Sequence, residues 1–188
     1  MLLLIYLHHA SYRRVMRFHD ASGLAKIVRM LGKSYESQAC SIARALEVVG
    51  ERWSLLIVRE ALFGEATRYR EFQRRLGIAS NVLKTRLDGF VEAGIMRRQK
   101  SSEQPELYEY LLTDKGRALA PALVALSEWG DEWATEGEPP ILYTHATCGN
   151  DVTQQTMCVH CGRVNGSTEI KAVIGPGHPS RAPLRGGG

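Results

Sequence analysis

Residues Thr67 to Thr113 read TRYREFQRRLGIASNVLKTRLDGFVEAGIMRRQKSSEQPELYEYLLT. In the first part Tyr69, Phe72 and Leu76 fall at i, i+3 and i+7, so they share one face of a short helix. Thr67 is placed to cap its start, and Gly77 suits the left-handed residue that ends it. A second helix is expected from near Ser80 to Gly94, with Leu83, Leu87, Phe90 and Val91 on its buried face. At about 100° per residue, Asn81 and Thr85 point away from that face, while Lys84 and Arg86 flank it. Ile95 to Lys100 and Leu107 to Leu112 then read as two strands around the polar loop SSEQPE, with Arg97, Arg98 and Lys100 on the first arm.

A helix that packs by leucines, shows small polar groups outward and carries cations on its shoulders suits a DNA major groove. Hydrogen-bonding side chains there meet base edges, and cations meet phosphates. Asn81 and Thr85 are the expected base-facing residues. Ser80, Lys84 and Arg86 are expected against phosphate or neighbouring base edges, and Tyr69 and Arg70 bracing the backbone from the first helix. Arg97 and Arg98 are expected along the adjacent minor groove or its phosphates. Helix, turn, helix and hairpin in this order make a winged helix-turn-helix.

Charge distribution points the same way. From Arg68 to Lys100 there are nine Lys/Arg against three Asp/Glu, a net of +6, whereas Glu103 to Glu138 holds two basic and nine acidic residues, a net of −7. The whole chain is only +4. Positive charge is therefore concentrated on the expected reading head, the footprint of a DNA-binding segment. The bland alternative is a small domain whose charges merely keep it soluble.

The 188 residues allow one domain, or one and a small appendage, and 44% hydrophobic with 23% charged residues is ordinary for a soluble globular protein. Four cysteines without a recognisable secretory signal argue for a reducing compartment, where cysteines more often bind metal or react than form structural disulfides. No apolar run approaches the roughly 20 residues needed to span a membrane. Residues 1–39 form an N-terminal extension, expected to be disordered or weakly helical. Its first 29 residues are also consistent with an upstream start codon, with Met30 or another internal start giving the working protein.

Organised sequence begins at Cys40. Ile42, Leu46 and Val49 share a helical face closed by Gly50, and Trp53, Leu56, Ile57, Glu60 and Ala61 continue in a second helix. Cys40-x-x-Ala43-Arg44-Ala45-Leu46, Gly50-x-Arg52-Trp53-x-Leu55-Leu56-Ile57 and Arg59 resemble the opening signature of the HxlR-type winged-helix transcription regulators. Phe72, Leu76, Ile78, Leu83, Arg86-Leu87, Ala93-Gly94, Tyr110-x-Leu112-Thr113 and Lys115-Gly116 continue the match, which covers about residues 40–138. The resemblance implies a homodimeric, bacterial-type, cytoplasmic DNA-binding regulator, its recognition helix at about residues 80–93 and its wing at 95–112. Many relatives cap that helix with Ser where this chain has Ala79, so Ser80 is the expected substitute cap. Some family members respond to oxidants or electrophiles through a cysteine at the position of Cys40. Its place at a helix start makes Cys40 a candidate redox sensor beside its plainer role as a small helix-start residue.

After the wing, Leu119, Leu123, Leu126, Trp129 or Gly130, and Trp133 recur at helical steps, with Thr113 as cap and a kink expected at Pro121. Packing back onto residues 42–57 of the same chain would bury this stripe. The resemblance favours instead a homodimer through the Leu119–Trp133 helix and the N-terminal helices, on a palindromic operator.

Residues 139–174 differ in composition. His145-x2-Cys148-Gly149 and Cys158-x2-Cys161-Gly162 are similar half-motifs, with nine residues between Cys148 and Cys158. Three thiolates and an imidazole match a closed structural Zn2+ site, which would make this extension zinc-ribbon-like. His160 is an alternative fourth ligand, and a redox pair at Cys158 and Cys161, or idle thiols, is the competing reading. The Gly- and Pro-rich residues 175–188 are expected to be a disordered tail.

The expected fold is thus mainly α with a small β-hairpin wing, a dimerisation helix and a zinc-ribbon-like extension. The expected function is a sequence-specific DNA-binding regulator, with repression the simplest outcome because binding alone blocks polymerase. The alternative is a zinc-ribbon protein-interaction adaptor with non-specific nucleic-acid binding. No Ser-His-Asp order, phosphate-cradling glycine loop or open metal site supports an enzyme.

Overall fold

The computed structural model describes residue 35 and residues 37–102 and 104–181. The expected N-terminal extension lies outside them except for its last few residues, as do residues 182–188 of the tail. From residue 39 onward the chain forms one unit.

Its order is α1 (Ser41–Val49), α2 (Ser54–Leu62), α3 (Tyr69–Leu76), α4 (Ser80–Glu92), β1 (Met96–Lys100), β2 (Tyr108–Leu112), α5 (Asp114–Arg117), α6 (Ala120–Trp133), β3 (Met157–Cys158) and β4 (Gly162–Arg163). Two short 3-10 turns follow, Ser167–Glu169 and Pro179–Arg181, the second inside the segment expected to be disordered. Helices α2, α3 and α4 converge with the β1–β2 hairpin on one core of Ile57, Val58, Phe72, Ile78, Leu83, Leu87, Phe90, Ile95, Met96 and Leu112. This is the winged helix-turn-helix expected from the periodicity.

The helix-turn-helix is set by local chemistry. Gly77 closes α3 in the left-handed conformation at φ 61°, which costs glycine little and a β-carbon more. The start of α3 differs from expectation. Thr67 does not cap it; Arg68 holds the cap position, and the Glu71 carboxylate reaches back to accept the N–H groups of Thr67 and Arg68, each at 3.0 Å. Ser80 likewise does not cap α4. Ala79 is the cap residue, without a side-chain bond, and Ser80 is already helical.

β1 and β2 pair antiparallel, with Met96 opposite Leu112 and Arg98 opposite Tyr110. Tyr110 N–H donates to Thr67 O, and Arg68 bridges Glu109, so the loop entering α3 flanks the hairpin as a third partner. Thr113 caps α5 as expected, its Oγ1 accepting from Gly116 N–H at 3.2 Å. Where a kink was expected the helix breaks outright. Pro121 sits in the first turn of α6, where a missing N–H costs nothing.

Two expected faces are corrected. On α1 the core takes Ala43 and Val49 and leaves Ile42 and Leu46 exposed. On α4 Val91 is exposed, because one turn past Leu87 the helix has rolled its core line onto Phe90. Of the stripe on α6, Leu123 is buried, together with Val124 beside it, and α2 is the packing partner. Leu126, Trp129 and Trp133 stay exposed. Among the described residues no helix is long and apolar enough to cross a membrane.

Candidate nucleic-acid interface

Helix α4 turns Leu83, Leu87 and Phe90 inward and leaves Asn81, Lys84, Thr85 and Asp88 exposed. The Asn81 side-chain amide has no hydrogen-bond partner among the described residues, so both its donor and acceptor are available. Thr85 Oγ1 donates to Asn81 O at 2.9 Å. Lys84 Nζ donates to Asp88 at 2.5 Å, one helical turn on. That hydrogen bond is the first cause of a lysine pKa raised above its ordinary value.

Tyr69 joins the two helices of the motif. Its hydroxyl donates to Ser80 O at 2.6 Å and lies 2.7 Å from Ser80 Oγ. Tyr69 and Ser80 are therefore brought together, with their polar atoms used on each other. Arg70 is exposed on the first turn of α3. Glu71 sits beneath that turn. The N–H of Arg68, then that of Thr67, holds its carboxyl below the usual range.

The wing separates two residues that sequence placed together. Strand residues alternate faces, so Arg98 shares a face with Tyr110, and Arg97 lies on the other. The Arg98 guanidinium stacks 3.8 Å from the Tyr108 ring centroid. β1 packs against α4, and Arg98 lines a groove with Tyr69 and Arg70 of α3. Arg97 instead lines a cleft with Ala61, Thr67 and Arg117, and its Nε donates to Gln99 at 3.4 Å. Arg86 is paired with Glu51 at 3.3 Å and is 28% exposed.

An open groove between α3 and the wing was missed by sequence reasoning. Arg68, Arg70, Arg74 and Arg98 line it together with Tyr69 and Tyr108. The signal was present in the arginines at 70 and 74, one helical turn apart on α3, but only the hairpin register shows that Arg98 faces them.

Cys40 is exposed at the cap position of α1, and its side chain makes no capping hydrogen bond. In the extension, His145 Nδ1 lies 3.2 Å from Cys148 Sγ, and Asn150 Nδ2 donates to the same sulfur at 3.3 Å. Backbone N–H of Asn150 holds the Cys148 thiol below its ordinary pKa, and those of Cys161 and then His160 do the same for Cys158. Among the described residues no three His, Cys, Asp or Glu side chains are grouped to hold one metal ion.

Comparison with known proteins agrees with this geometry. The family model described as HxlR-like helix-turn-helix matches residues 48–138. Rv3095 of Mycobacterium tuberculosis, named as an uncharacterized HTH-type transcriptional regulator, is 42% identical over 149 residues, covering 79% of this chain and 94% of that protein. YvaP of Bacillus subtilis, named in the same way, is 37% identical over 100 residues, covering 52% of this chain and 92% of its own. Among solved structures, PA1607, titled as a candidate transcription factor, superposes with a TM-score of 0.66 at 37% identity over 72% of this chain and 94% of its own. PA1374 from Pseudomonas aeruginosa does so with a TM-score of 0.54 at 36% identity, over 77% of this chain and all of its own. A winged helix-turn-helix with an exposed polar face on its second helix, an arginine-bearing wing and these relatives together place the chain in the HxlR-like helix-turn-helix family of transcriptional regulators.

Proposed function

We propose that the protein is a repressor that binds a palindromic operator as a homodimer, reading bases through α4 and gripping phosphates with α3 and the wing. The observation that carries this reading is the exposed face of α4. Asn81, Lys84 and Thr85 line it, and the strand that packs against α4 carries Arg98. An amide free to make two hydrogen bonds matches the adenine edge in the major groove. Arg70, Arg74 and Arg98 supply cations where the flanking phosphates would run.

The homodimer rests on apolar side chains that the single chain leaves uncovered. Ile42 is 70% exposed, Leu46 42%, Leu126 49%, Trp129 60% and Trp133 72%. Large side chains in such a set mark an interface more often than a solvated surface. A twofold axis through them would set the two α4 helices about 34–36 Å apart, one turn of DNA.

Selection of bound duplexes from a random pool, repeated over a salt series, tests the proposal. An inverted repeat with half-sites one turn apart is expected. Salt-sensitive binding without sequence enrichment would overturn operator reading and favour an adaptor that holds nucleic acid non-specifically.

A further inference from the structure

We propose that the segment after Pro140 is held together by one Zn2+ ion, bound by the thiolates of Cys148, Cys158 and Cys161 and the imidazole of His145. Two independent observations lead there. One is the absence of a core. None of residues 141–180 is buried, and Leu142, Met157, Val159 and Val173 are largely solvent-facing. Yet the segment keeps defined turns: Thr144 bridges Asp151, and β3 pairs with β4. So little apolar burial does not offset the conformational entropy of ordering a chain. Segments of this kind take their folding energy from disulfides or metal. All three cysteines here are free.

The other observation is the repeated form of the two half-motifs. In the first, the N–H groups of Cys148 and Gly149 both donate to His145 O, at 3.2 and 2.8 Å, and Gly149 takes φ 71°. This tight turn is what sets Nδ1 of His145 against Sγ of Cys148. In the second, Cys158 ends β3, Gly162 begins β4 at φ 96°, and Cys161 lies in the turn between. Each half offers two soft or borderline donors from one tight turn, and neither contributes a carboxylate. Three sulfurs and one nitrogen suit tetrahedral zinc rather than a hard cation.

The two pairs do not converge on a common centre among the described residues. Each alone supplies half of a tetrahedral shell, and drawing both onto one ion is the ordering step that metal binding would drive. The segment already rests on the regulator domain. Gln154 N–H donates to Glu128 of α6 at 2.8 Å, and the Tyr143 ring packs on Phe63 with centroids 4.7 Å apart. A zinc-held segment would therefore brace α6.

The test uses full-length protein purified under reducing conditions without chelator. Zinc per chain is measured by elemental analysis, and Co2+ is then titrated into protein stripped of metal. One zinc per chain is expected, with cobalt giving the visible bands of a tetrahedral site and thiolate-to-metal charge transfer. Cys148→Ser, Cys158→Ser, Cys161→Ser and His145→Ala should each weaken Co2+ binding by tenfold or more, and Cys40→Ser should not. Absence of zinc together with no cobalt uptake would overturn the proposal. So would loss of binding in His160→Ala but not in His145→Ala, or a Cys158–Cys161 disulfide found by mass in freshly purified protein. DNA binding is read separately, so failure of the metal site leaves operator reading untouched.

Discussion

The hydroxyl of Tyr69 on α3 is bonded to both the carbonyl and the hydroxyl of Ser80, the first residue of α4. These contacts tie α3 to the first turn of α4, while the Tyr69 ring packs against the hydrophobic core. Tyr69→Phe keeps the ring and removes the bonds. A stability loss of about 1 kcal/mol is expected from denaturant unfolding. Operator affinity should fall further than that loss explains while the fold stays intact; unchanged affinity would show that the α3–α4 angle is set by packing alone.

Asn81 and Arg98 should fail differently. Asn81→Ala removes the one uncommitted amide on the reading face, and should cost about 1–3 kcal/mol on the preferred operator with little effect on random DNA. Arg98→Ala should weaken both DNAs alike and lower the salt slope by about one. Arg97→Ala, on the opposite face of the strand, should change either binding curve less than Arg98→Ala. Competition binding at several salt concentrations separates the three, and equal losses on both DNAs from Asn81→Ala would remove it from base reading.

Glu71 makes stability depend on acid. Its carboxyl titrates below the unfolded value because the N–H groups of Arg68 and Thr67 favour the charged form. The stabilisation is thus present above the unfolded pKa near 4.5 and is lost as pH falls through the lower folded value. Glu71→Gln should destabilise by about 1 kcal/mol at neutral pH and should flatten the acid limb of the stability curve. Parallel curves for the two proteins below pH 5 would contradict this, as read by thermal unfolding across pH.

Ser54 offers a change in the other direction. It is buried in α2, and among the described residues its Oγ has no hydrogen-bond partner. An orphaned buried hydroxyl is costly, so Ser54→Ala should raise stability by about 1 kcal/mol without altering DNA binding. A lower melting temperature would show that the hydroxyl is satisfied in solution.

Leu126→Glu places a charge in the middle of the exposed apolar set on α6. Sedimentation at several concentrations should show a dimer for the parent and a monomer for the variant. Binding to an inverted repeat should drop well over tenfold, and binding to a single half-site should change little. A variant that remains dimeric would move the interface elsewhere.

Much of this was legible in the sequence because helical period and turn chemistry are local properties. Phe72, Leu83 and Leu87 are buried as their spacing requires, and Gly77 closes α3 as its position suggests. The misreadings came where two groups compete for one role. Thr67 looked like a cap, but the helix starts one residue later, with Arg68 at the cap position and the Glu71 carboxylate reaching back to the N–H groups of Thr67 and Arg68. The fold also delivers Glu51, distant in sequence, to the side of Arg86, a pairing that no local pattern announces. Arg97 and Arg98 are neighbours in the chain and lie on opposite faces in space. The alternation of a strand predicts that, once the strand and not only its charge is considered.

Trp129 and Trp133 stand one helical turn apart on α6, both open to solvent, while the third tryptophan, Trp53, is half-buried against the core. Two of three indoles therefore sit on the surface where a partner is expected, and the chain carries its own optical reporter. Their emission in the isolated chain should be red-shifted and readily quenched by iodide. Anything that covers α6 should turn it bluer and shield it, so assembly could be followed by light alone, without a label.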